Sequence, residues 1–72
     1  MFPNIFAAMA ARGRMTIKQL SKESGIPERT LSMKLNGKTD FTLSNMLSIQ
    51  RVLYDKNGKT ISLDVLFALS ED

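Results

Sequence analysis

Thr16-Ile17-Lys18-Gln19-Leu20-Ser21-Lys22-Glu23-Ser24-Gly25-Ile26-Pro27-Glu28-Arg29-Thr30-Leu31-Ser32-Met33-Lys34-Leu35-Asn36-Gly37 is the stretch that decides how this chain is read. Thr16 is a good N-cap, and Gln19 three residues later completes a capping-box pattern, so a helix opens at Ile17. Ile17 and Leu20 begin its apolar stripe. It ends at Ser24, because Gly25 suits the positive φ of a chain leaving a helix and Pro27 cannot continue one. Pro27 fits the first turn of a further helix instead, with Ile26, Leu31 and Leu35 marking its buried side and Asn36-Gly37 its end.

Working outward, a helix before this pair runs from Pro3 to about Arg12, with Phe2, Ile5, Phe6 and Met9 on one face and Gly13 as its stop. After it, Thr42 caps a fourth helix. Leu43, Met46, Leu47, Gln50 and Leu53 recur there at helical spacing, with Ile49 and Val52 on a second, more exposed face. Ser62, Asp64 and Val65 open a last helix in which Leu63, Leu66 and Phe67 close the core while Val65 and Leu69 point elsewhere. Asn57-Gly58 is ambiguous: it closes a small hairpin between Val52-Leu53-Tyr54 and Thr60-Ile61, or it ends the fourth helix through a left-handed cap. The strongly helical pattern before it favours the cap. The expectation is an all-α, five-helix fold forming one domain over residues 1–72.

Composition narrows the function. Seventy-two residues leave no room for a second domain, and 43% hydrophobic residues suit a globular fold. Without cysteine or histidine there is no disulfide framework, no thiolate metal site and no imidazole base, so no metal or cofactor is expected. Asp40, Asp55 and Asp64 are scattered carboxylates without a partner pattern, and no enzyme is expected. The uncharged run Met1 to Ala11 is far too short to span a membrane. No lysine or arginine precedes it, against a secretion signal, and the expected location is the cytoplasm.

Charge is polarised along the chain. Arg12 to Thr39 holds Arg12, Arg14, Lys18, Lys22, Arg29, Lys34 and Lys38 against Glu23 and Glu28, whereas the remainder is net acidic, within an overall +3. Lysines that merely solvate helix faces would give some of this, but concentration in one segment points to a polyanion.

That segment is also the one with two short helices and a glycine turn, the unit that places its second helix in a DNA major groove. Such a unit needs Leu20 and Leu31 to bridge the helices, a small Ser21 where they cross, Gly25 for the turn and Ile26 to plug the corner. Through Thr16-Ile17-Lys18-Gln19-Leu20-Ser21, Gly25-Ile26-Pro27 and Thr30-Leu31-Ser32 to Asn36-Gly37-Lys38, and on to Phe41-Thr42-Leu43 and Ser62-Leu63-Asp64-Val65-Leu66, the sequence resembles the lambda-repressor-like helix-turn-helix family of Cro/cI-type and Xre-type regulators. The resemblance implies a five-helix fold, with helices two and three as the helix-turn-helix, and a phage- or prophage-type transcriptional regulator that binds double-stranded DNA sequence-specifically. It departs from the family at Ile17, where glutamine often meets a phosphate, at Ser21, where alanine is usual, and in an apparent insertion over Tyr54 to Thr60.

The resemblance aims Glu28, Arg29, Ser32 and Met33 at base edges. Arginine grips guanine bidentately, glutamate accepts from cytosine, serine is adaptable and methionine touches a thymine methyl. A solvent-exposed ion pair is the plainer role for Arg29. Lys18, Gln19, Thr30, Lys34, Asn36 and Lys38 are assigned to phosphates, which position without specifying. Asn36 serves equally well as a cap beside Gly37. A patch of Ile49, Val52, Val65 and Leu69 is either ordinary core or a surface for a second copy, in a homodimer holding two reading helices about 34 Å apart on a pseudo-palindromic site. The alternative function is a protein-interaction module of the same fold, of antitoxin or anti-repressor type, whose apolar face binds a partner protein. No small-molecule substrate is expected.

Overall fold

The computed structural model describes residues 2–55 and 57–69; Lys56, Glu71 and Asp72, counted above in the acidic remainder, lie outside them. Five helices follow one another: α1 (Pro3–Ala11), α2 (Ile17–Ser24), α3 (Glu28–Leu35), α4 (Leu43–Val52) and the single turn α5 (Leu63–Leu66). There is no strand among the described residues, and no helix there is long and apolar enough to cross a membrane. The Cα radius of gyration is 11.1 Å, matching the roughly 11 Å of a close-packed chain this long.

The caps form as the residue types dictate. Thr16 Oγ1 accepts from the Gln19 N–H at 3.1 Å, and Gln19 Oε1 accepts from the Thr16 N–H at 2.9 Å, a complete capping box. Thr42 Oγ1 accepts from the Asn45 N–H at 3.1 Å. At the end of α3, Gly37 takes φ 78°; its N–H donates to Lys34 O and the Lys38 N–H to Met33 O, the paired bonds of a Schellman motif.

One core is shared by all five helices: Ile5, Ala8 and Met9 from α1, Leu20 from α2, Leu31 and Leu35 from α3, Ile49 and Val52 from α4, Leu66 from α5, with Met15, Ile26 and Leu53 from the connections. α2 packs on α3 and α4, and α5 on α4 and α1. Phe2, Phe41 and Phe67 meet edge to face, with centroids 5.0 to 6.0 Å apart, and tie the start of the chain, the α3–α4 loop and the end of α5 together. Arg12, just past α1, bonds the Val52 carbonyl at 2.8 Å, lies 3.4 Å from Glu23 and covers the Tyr54 ring at 4.7 Å.

Three expectations are corrected. Phe6 is 37% exposed, and Ala8 rather than Phe6 completes the inner face of α1. On α4 Ile49 and Val52 are buried, at 0% and 8% exposure, while of the expected inner stripe Leu43 and Leu47 are 61% and 43% exposed, Met46 and Gln50 are half-buried and only Leu53 is fully buried. The α4 side that meets α2 is the one bearing the β-branched pair. Finally, α4 stops at Val52 and Asn57-Gly58 does not cap it. Leu53 is extended and fully buried, and Tyr54 forms an antiparallel bridge with Thr60, so the segment is a small hairpin turn. Asp55 organises it: its Oδ1 accepts from the N–H groups of Asn57 and Lys59 at 2.8 and 2.9 Å.

Candidate nucleic-acid interface

Gly25 adopts φ 79° and its N–H returns to Ser21 O at 2.9 Å, closing α2. No atom stands within 4 Å of where a Cβ would sit, so the backbone conformation rather than crowding calls for glycine here. Ile26 fills the corner behind the turn, buried, and Leu20 and Leu31 are both fully buried between the helices. The Ser21 hydroxyl donates to the Ile26 carbonyl at 2.5 Å and the Ile26 N–H bonds Ser24 Oγ at 3.4 Å, so side chains of α2 hold both ends of that corner residue.

Pro27 precedes α3 and has no side-chain oxygen to cap it, so the N–H groups of its first turn are left for water or for an oxygen of a ligand. With Leu31 and Leu35 turned inward, 3.6 residues per turn put Arg29 and Met33 on the outward side, with Glu28 and Ser32 along one edge and Thr30 along the other. Glu28, Arg29, Thr30 and Met33 are exposed and Ser32 is half-buried. The four residues assigned to base edges therefore form one contiguous face.

The phosphate set is only partly kept. Lys18 and Gln19 are exposed on the first turn of α2, and Asn36 and Lys38 are exposed at the end of α3. Gln19 gives its oxygen to the capping box, which leaves its amide N–H groups free to donate. The left-handed cap belongs to Gly37, and Asn36 sits at φ −85°. Lys34 is the correction: it is 9% exposed, its Nζ donates to the Asp40 carbonyl, and it lies 5.9 Å from the Phe41 ring centroid. It shares the face of Leu31, three residues away, and its ammonium is engaged within the fold rather than held out toward a groove.

Of the patch assigned to a second copy, Ile49 and Val52 are core, while Val65 and Leu69 are 53% and 64% exposed. The sequence reading missed the exposure of Leu43 and Leu47. It counted Lys22, exposed on α2, and Arg14, exposed at φ 61° between α1 and α2, in the basic segment but gave neither a contact. No set of acidic, histidine or cysteine side chains among the described residues groups to hold a metal. No family model, curated protein or solved structure matches the chain.

Proposed function

We propose that the chain is a lambda-repressor-like helix-turn-helix protein of the cytoplasm that binds double-stranded DNA sequence-specifically and regulates transcription as a homodimer. The observation that carries this reading is the outward face of α3. Arg29, Met33, Glu28 and Ser32 stand together on a helix fixed from behind by Leu31, Leu35 and Lys34. A helix so anchored presents these side chains from a backbone that is already ordered. Lys18, Gln19, Asn36 and Lys38 flank it with donors for the phosphates on either side of a groove.

Electrostatics supports the same surface. Within residues 12–39 Glu23 faces Arg12, and only Glu28 remains to oppose the exposed Lys18, Lys22, Arg29 and Lys38. Glu28 sits in the first turn of α3, where a carboxylate also suits the helix dipole. Selection of bound duplexes from a random DNA pool tests the function: recovery of a defined motif is expected, and recovery of unrelated sequences with uniform affinity removes sequence-specific reading.

A further inference from the structure

Helix α1 contains no charged residue, and its one polar side chain, Asn4, is drawn back to the Val65 carbonyl at 2.7 Å. Its inner side is core, yet Pro3, Phe6, Ala7, Ala10 and Ala11 on the outer side are exposed. A helix that is apolar all round is ordinarily covered. The exposed face runs into a groove of about 480 Å³, with alanines of α1 on one wall and Tyr54, Ile61 and Val65 on the other.

We infer that this face is the docking surface for a second copy of the chain. In a two-fold interface each residue near the axis meets its own copy, so any charge there faces a like charge. The chain carries a net +3 with about a quarter of its residues charged, and the outer face of α1 lets two such molecules meet without that repulsion. Its alanines also let two helix axes come close.

A foreign partner recognised by charge would need a charged rim. Among the described residues, the one charged residue lining the groove is Asp55, whose Oδ1 already holds the hairpin turn. A membrane surface calls for lysine or arginine along a polar helix face. α1 has no such face, and the adjacent Arg12 is bound to the Val52 carbonyl and stacked on Tyr54. None of the residues assigned to DNA, on α2, α3 and the loop after α3, lines this groove. The inference assigns the surface of the homodimer proposed above and rests on that reading only for its consequence on DNA.

Sedimentation of the full chain over a concentration series, with no DNA present, is the test. The wild type is expected to dimerise, and Ala10→Lys to weaken association by at least about tenfold through like-charge apposition with an unchanged far-ultraviolet circular dichroism spectrum. A lysine in the last turn suits the helix dipole, so the fold should survive it. The chain has no cysteine; Ala7→Cys or Ala10→Cys should therefore give a covalent dimer on oxidation, and Lys22→Cys should not. A wild type that is monomeric throughout overturns the inference. So does a dimer indifferent to Ala10→Lys but dissociated by Leu47→Lys on α4, or a wild type that floats with phosphatidylserine–phosphatidylcholine vesicles. A dimer that selects no DNA motif leaves this surface standing and removes the DNA reading; a monomer that selects one does the reverse.

Discussion

Ser21 reaches across the α2–α3 turn and donates its hydroxyl proton to the carbonyl of Ile26. The corner residue is thereby held by packing from behind and by a hydrogen bond from the side. Ser21→Ala keeps the close crossing but strands that carbonyl, at an expected loss of about 1–2 kcal/mol in urea unfolding. An unchanged unfolding midpoint would mean that water replaces the hydroxyl at no cost.

Lys34 and Lys38 are four residues apart and carry the same charge, yet their substitutions should separate. Lys34→Ala removes a packed stem and a buried donor and should destabilise the fold by about 1–3 kcal/mol. In folded protein it should leave the salt dependence of DNA binding unaltered. Lys38→Ala should leave stability within about 0.5 kcal/mol and lower the slope of log affinity against log salt by about 1. The comparison needs only melts and a salt titration of each variant.

Arg29→Ala should cost roughly 1–3 kcal/mol on the selected DNA sequence and relax one base position. Binding measured on the motif and on scrambled duplex decides it: equal losses on both would sink base reading by Arg29 and leave it a phosphate contact.

Gly37→Ala places a Cβ in open space but in a left-handed conformation, which should cost about 1–2 kcal/mol. The loss should appear as a lowered melting temperature with helix content retained.

The two faces of α4 should answer oppositely to truncation. Ile49→Ala should cost about 2–5 kcal/mol as a buried deletion, whereas Leu43→Ala should fall within about 0.5 kcal/mol. Similar values for the two would contradict the burial described here.

That face was misread for a physical reason. Leu43, Met46, Leu47, Gln50 and Leu53 form one stripe and Ile49 and Val52 another, and spacing alone cannot say which of two apolar stripes meets the neighbouring helix. Leu53 is fully buried but lies beyond the helix in extended backbone, where helical phase no longer applies. The hairpin was the less favoured of two readings of Asn57-Gly58, and Asp55 decides for it: its carboxylate gathers two backbone N–H groups and sets the turn. By contrast, the capping box of Thr16 and Gln19, the left-handed Gly25 and the end of α3 at Asn36-Gly37 were legible because they depend on near neighbours alone. On α3, the inward place of Lys34 follows from its spacing to Leu31. The usual preference of a lysine for water obscured it, because an available carbonyl five residues past the helix can be seen only in the folded chain.

The guanidinium of Arg12 over the ring of Tyr54 gives the molecule an optical property. With no tryptophan and a single tyrosine in the chain, emission excited in the tyrosine band, beyond the absorption of phenylalanine, comes from a ring seated against a cation at the junction of α1 and α4. Unfolding parts that ring from the guanidinium, so the intact, unlabelled protein reports its own folding transition from the contact between the end of α1 and the residues after α4.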